Sequence, residues 1–403
     1  MDKNNNAAFP NSEIELNSKG NNIENHADYN YEQRLIDQND KELQPNQGPQ
    51  SNAEIKLEKK EKIDPRFWIY SIGACIIFAS SAIFRAFHGK NVLLTNTIVN
   101  LSFGLVSFLY FGVKIISAKI HKEQYNLPWV IKNGTTGQNK VSWVLFLCLF
   151  IGGSVEYFGN QSLILSFKYA LYAGFNQGIC SAMVSTNTVY VALMSFIIFR
   201  EKLKGIQVAG ILCMIFAVGI VSLFKTETED FDQIHVHTVQ ETDDLGQNKA
   251  ITIFGGLFAS IMFGSQLLLF KFVLRYTHDT FGIAFAFLLL SSVYGFGNLF
   301  YLLSFNRDAF FENDFLQNIS SVLTGILLSL AIVLVNVSCS FGLIGITNAI
   351  MHCQTIIVTV FNYLVFSQDL NMAQSVGVGL CVIGALIISN GDRLSCCNSK
   401  IKN

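Results

Sequence analysis

The stretch GGSVEYFGNQ sets one carboxylate, Glu156, deep inside an apolar run. At the centre of a bilayer such a group costs about 2.5–3.5 kcal/mol, so it must be paired, protonated or wetted by a cavity. A carboxyl held that way can exchange protons. His352, in NAIMHCQT, is a titratable group in a second apolar run, suited either to proton exchange or to structural hydrogen bonding. Uncharged polar side chains accompany both. Asn160 follows Glu156 by four residues and so shares its helix face, and Asn336 lies in a later run.

Two stripes stand out on helical wheels. Gln177, Ser181, Ser185, Thr188 and Ser195 fall within about 80° of one another at about 100° per residue, and Asn348, His352, Thr355, Thr359 and Asn362 form a similar stripe. Polar groups are costly against lipid, so both stripes should face protein or water. The Ser and Thr positions alone would equally serve close helix packing. The larger Asn348, His352 and Asn362 favour a cavity. Asn298 lies in a further run, and Tyr157, Tyr172 and Tyr294 could stack on a planar substrate or anchor helices at the interface. Arg85, Lys168, Lys271 and Arg275 close or open apolar runs, where snorkelling is the default. Turned inward, Arg85 or Lys168 would suit a phosphate or carboxylate.

The elements that carry these residues are long and apolar. Hydrophobic residues make up 51% of the 403 and charged residues 14%, below the roughly 25% of soluble domains. Ten runs are long enough for a bilayer core: 67–84, 92–113, 141–167, 171–199, 205–224, 250–272, 281–305, 320–341, 344–366 and 373–390. In lipid such runs must be helical, because the backbone finds no other partner there. The predicted class is an all-α integral membrane protein with ten transmembrane helices and no nucleic-acid partner, its net charge being −1. Its large surface partner is the lipid bilayer. Residues 1–66 read as a disordered cytoplasmic tail, 226–249 as an acidic linker containing His235 and His237, and 392–403 as a short cytoplasmic tail. Flanking cations orient the chain with both termini inside. Lys114, Lys119, Lys122, Arg200, Lys202 and Lys204 are among the many inside, against Arg85, Lys90, Lys168, Lys225, Lys249 and Arg307 outside.

The chain also repeats itself. FREKLKGIQVAG at 199 and FSQDLNMAQSVG at 366 share Phe, Leu, Gln and Gly at an offset of 167. Between 173–222 and 340–389 the identities are Gly178, Ile179, Ala182, Thr188, Val191, Phe199, Leu203, Gln207, Gly210, Ile220 and Ser222. The same offset sets Ser181 on Asn348, Ser185 on His352, Thr188 on Thr355 and Asn187 on Gln354. Residues 67–225 and 250–391 are then two five-helix units. Five being odd, the second is inverted, an arrangement used by carriers that alternate access around a midplane site.

Ten spans, a five-plus-five repeat and FREKL after the fourth span resemble the drug/metabolite transporter superfamily, in its EamA-like and nucleotide-sugar-transporter-like branches. Phe199, Glu201, Lys202 and Leu203 match a turn that often closes the fourth helix there. Gln368 and Asp369 depart from it in the second copy, and the Gly-Ala-Leu-Asn-Lys motif of many nucleotide-sugar carriers is absent from the ninth span. The resemblance covers roughly 67–391. It implies a secondary carrier of a small polar metabolite, with the fifth and tenth helices peripheral and the substrate class open.

The expected substrate-binding residues are Glu156, Asn160, Gln177, Ser181, Ser185, Thr188, Asn336, Asn348, His352 and Thr355. No cofactor, metal or catalytic residue is expected: the chain has no His-x4-Asp or Gly-x-Gly-Asp motif, no metal-spaced His pair in a span and no nucleotide loop. Gly377, Gly379 and Gly384 would allow close helix contact, including in a homodimer. A non-transporting membrane adaptor and a cation channel or carrier of the same fold are the alternatives.

Overall fold

A computed structural model describes residues 65–86, 91–122, 125–132, 139–173, 177–199, 205–223, 243–277, 279–341, 347, 350–366 and 371–400. The expected N-terminal tail, the FREKL turn beyond Phe199 and most of the acidic linker lie outside them.

The described chain is helical apart from one hairpin. In order come α1 (Pro65–Ala86), α2 (Val92–Ile120), β1 (Val130–Lys132), β2 (Asn139–Val141), α3 (Trp143–Tyr172), α4 (Gln177–Val184) and α5 (Asn187–Phe199). They are followed by α6 (Gly205–Leu223), α7 (Asp243–Val273), α8 (Thr280–Phe305), α9 (Arg307–Phe310), α10 (Phe315–Ser340), α11 (Gln354–Phe366) and α12 (Met372–Lys400). The strands pair antiparallel, Val130 opposite Val141.

Among the described residues, seven segments are long and apolar enough to cross a membrane, counting α4 and α5 as one across a break. The runs at 205–224, 344–366 and 373–390 fall in shorter apolar helices. Outward faces carry exposed Ile69, Leu105, Phe108, Phe254, Phe300 and Leu364. A surface that apolar fits lipid, and the protein has the composition of a multi-pass membrane protein.

Several helices overrun their apolar cores. α2 continues to Ile120, and α7 starts at Asp243, within the expected linker. Hydropathy marks only the lipid-immersed part, whereas helical hydrogen bonding continues until a cap or break ends it. Caps are visible at Asn91, whose side chain accepts from the Leu94 N–H at 3.0 Å, and at Asp279, which accepts from Gly282 N–H at 2.8 Å.

α3 packs along α7, α10 along α1, and α2 along α8. The largest core cluster joins α2, α3, α8 and α10 around Phe103, Leu149, Phe287 and Leu328. α6 and α12 form their own pair, so close that a Cβ on Gly384 would lie 2.5 Å from Met214 Cγ and 3.0 Å from the Gly210 carbonyl. Gly384 is thus engaged within the chain, while a Cβ on Gly379 would meet open space.

Candidate functional site

The run read as one helix over 171–199 is broken. α4 stops at Val184, Ser185 and Thr186 turn, and α5 begins at Asn187. Thr186 Oγ donates to the Met183 carbonyl at 2.7 Å, so a hydroxyl competes with the helical ladder at the break. The run over 344–366 breaks likewise: 350–352 are helical, Cys353 turns, and α11 begins at Gln354. The turn bonds correspond, Thr186 N–H to Met183 O at 3.1 Å and Cys353 N–H to Ile350 O at 3.1 Å.

The two breaks cross. Thr188 Oγ1 and His352 Nε2 hydrogen-bond, and Ser185 Oγ lies 3.4 Å from Thr355 Oγ1. Beside this crossing is a cavity whose empty space, mouth included, is about 880 Å³. Its polar lining comprises Ser81, Arg85, Glu156, Ser181, Asn187, Gln266, Asn336, His352 and Gln354. Its apolar lining includes Phe78, Leu163, Phe167, Phe263, Leu267, Leu328, Ile332, Val335 and Met351.

Of the expected substrate-binding residues, Glu156, Ser181, Asn336 and His352 line the cavity. Asn160, Ser185, Thr188 and Thr355 are buried behind the lining as hydrogen-bond partners. Gln177 is buried at the start of α4 and is not among the lining residues. Asn348 lies outside the described residues. Tyr157 and Tyr294, read as platforms for a planar substrate, stack on each other with centroids 4.9 Å apart. Asn298 donates to the Tyr157 hydroxyl, so these three tie α3 to α8.

The main correction concerns Arg85. The sequence reading set it at the interface, yet it is only 4% exposed and points into the protein. Its Nη2 donates to Asn160 Oδ1 at 3.3 Å, and Asn160 Nδ2 donates to Glu156 Oε1 at 2.7 Å. One amide thus joins a buried cation to a buried anion. The guanidinium lies over the Phe167 ring, 5.9 Å from its centroid. Arg85 also lines a smaller crevice of about 200 Å³ with Thr95, Ser320, Ser321 and Thr324, so it stands in the wall between two spaces. Lys168, the other cation considered, is half-buried, lies over Tyr172 at 6.0 Å and is not among the cavity-lining residues. Gln266 escaped the sequence reading because a lone Gln in an apolar run carries no spacing signal.

Several polar atoms here are buried without a hydrogen-bond partner: Arg85 Nε, Glu156 Oε2, Gln266 Nε2, Asn336 Nδ2 and His352 Nδ1. Buried polar groups are ordinarily satisfied by protein or by water, so these atoms leave the cavity wall able to bond water or a polar ligand. Among the described residues, no group of His, Cys, Asp and Glu is arranged to hold a metal ion.

No family model matches the chain, and no curated protein matches it. A solved structure described as "Crystal structure of protein" is similar to it, with a TM-score of 0.49 and 11% sequence identity over 81% of this chain and 98% of that one.

Proposed function

We propose that the protein is a secondary carrier for a small metabolite, built as two inverted five-helix units around this cavity, with both termini cytoplasmic. The observation that carries the reading is the cavity itself, set at two broken helices and ringed by buried orphan polar groups. Interrupted helices at corresponding places in two halves are a mark of carrier binding sites.

Reciprocal contacts support the inversion. At the offset of 167, Thr188–His352 becomes Thr355–Ser185, and both pairs meet. Cys213 Sγ lies 3.5 Å from the carbonyl of Leu380, its own counterpart, as expected beside a pseudo-two-fold axis. Other helices obey the same rule at other offsets. Gly153 of α3 lies against Leu290 of α8, and Gly325 of α10 against Val99 of α2. Gly73 of α1 lies against Leu334, and Gly255 of α7 against Ser162. The ten-helix resemblance to drug/metabolite transporters belongs with this proposal.

The test is ligand stabilisation of the full chain in detergent, with nucleotide sugars, sugar phosphates, amino acids, organic acids, nucleobases and organic cations, at a mildly acidic and a mildly alkaline pH. A ligand at 100 times its Kd adds about 2.7 kcal/mol to apparent stability. One class should raise Tm, lose that effect in His352→Ala, and be taken up by liposomes carrying the protein. If folded protein neither binds nor moves any class, the chain is an adaptor and its polar stripes serve packing.

A further inference from the structure

We infer that the substrate is an amphipathic organic anion, its carboxylate or phosphate held by Arg85 and its apolar body lying against Leu267 and Leu328. The inference rests on the carrier reading and names its substrate class.

The cavity is two-faced because the repeat is broken there in chemistry though not in shape. The offset between α1 and α7 is 182, from Gly73 to Gly255, and that between α3 and α10 is 172, from Gly153 to Gly325. Arg85 then corresponds to Leu267 and Glu156 to Leu328. All four line the cavity. Among the other corresponding positions that line the cavity, Leu163 and Val335, Val184 and Met351, and Asn187 and Gln354 match in kind, while Ser81 corresponds to Phe263. The space therefore carries a cation and a carboxylate on α1 and α3 where the corresponding positions of α7 and α10 carry two leucines. A wholly polar solute would leave the leucines uncovered, and a wholly apolar one would leave the guanidinium unpaired.

The sign of the head follows from the hydrogen bonds. A guanidinium has five N–H donors in a planar fork that matches a carboxylate or phosphate. Arg85 spends one on Asn160, at a long 3.3 Å, and its Nε has no partner. Glu156 is fully buried and has the closer bond to that amide, at 2.7 Å. Asn160 joins the two charges, and Arg85 keeps its donors for a second acceptor. The unpartnered amide nitrogens of Gln266 and Asn336 add to the excess of donors. Glu156 then acts as a resident counter-anion that weakens the incoming one.

The experiment uses the full-length protein in detergent and four probes: phenylacetate, its neutral amide phenylacetamide, phenethylammonium, and formate as a head without a body. Phenylacetate should raise Tm while phenylacetamide and phenethylammonium do not, and formate should bind more than tenfold more weakly for want of apolar contact. Arg85→Gln should lower phenylacetate affinity by about a hundredfold, the cost of truncating one buried charge partner. Glu156→Gln should tighten it by about tenfold, a nearby like charge having been removed. Should Arg85→Gln not fold, Leu328→Ala takes its place, weakening phenylacetate and leaving formate unchanged. Equal binding of the acid and its amide, or stronger binding of phenethylammonium, overturns the anion assignment and leaves the carrier standing. Formate binding as tightly as phenylacetate overturns the apolar-body half. If no probe here and no compound of the wider panel binds folded protein, both readings fall.

Discussion

Asn160 does more than its single place in the sequence indicates. Its carbonyl accepts from Arg85 and its amide donates to Glu156, so one neutral side chain joins two buried charges 71 positions apart, from Arg85 to Glu156. Asn160→Leu keeps the volume and removes both bonds. Hydrogen bonds to charged groups contribute about 1.5–3 kcal/mol each, so unfolding in detergent should show a loss of about 3 kcal/mol or more. A second residue-scale prediction lies outside the membrane. Tyr125 donates to Asp279 at 3.1 Å, and burial together with the Asp279 carboxylate pushes its phenol well above the ordinary value. A raised folded value favours the neutral phenol, so its contribution is full below the unfolded value of about 10 and is lost progressively as the pH rises from there through the higher folded value. Stability should fall in strong alkali, and fall less in Tyr125→Phe.

At the scale of elements, the decisive feature is the pair of helix breaks. Hydropathy read continuous helices over 171–199 and 344–366, because Ser and Thr do not interrupt an apolar pattern. The break arises where the Thr186 hydroxyl takes the Met183 carbonyl and also lies 2.8 Å from Ser260 Oγ. Thr186→Ala removes both contacts. It should cost about 1 kcal/mol in unfolding experiments and weaken any ligand of the cavity by straightening the segment that carries Ser181, Ser185 and Thr188. The α6–α12 pair offers a sharper contrast. Gly384→Leu drives a side chain into Met214 and should destabilise by about 1–3 kcal/mol, whereas Gly379→Leu, pointing into open space, should leave Tm of the monomer unchanged.

At the scale of the whole molecule, the proposed inversion predicts that residues near its axis meet their own counterparts. Cys213 and Leu380 are such a pair. Cys381, next to Leu380, already sets a second thiol near Cys213 across α6 and α12. A short thiol-reactive cross-linker should join peptides containing residues 213 and 381 within one chain, read by mass spectrometry after digestion. Peptides joined only between chains would show that α6 and α12 pair across a dimer instead.

Local pattern was enough for the membrane class, the order of the apolar runs, the 167-residue repeat and Glu156, since hydropathy and helical periodicity depend only on near neighbours. The repeat was legible over 173–222 and 340–389 because no insertion falls within them. On the proposed two-fold arrangement the rest would be hidden: the α2-to-α3 connection, which holds the β1–β2 hairpin, would be longer than its counterpart, and the offset would drift from 182 in α1 through 191 in α2 (Gly104 to Gly295) to 172 in α3. The place of Arg85 was decided only by tertiary structure. At the end of an apolar run a cation can snorkel or turn inward, and nothing nearby in the chain distinguishes the two. What distinguishes them is an amide 75 residues away with its carbonyl free to accept, and a phenyl ring, Phe167, for the guanidinium to lie over. The crossing of the two breaks is likewise a contact across 164 residues, Thr188 to His352, which no local periodicity encodes. Helices follow from the solvent acting on each segment by itself, while the cavity follows from which side chains the packed segments bring face to face.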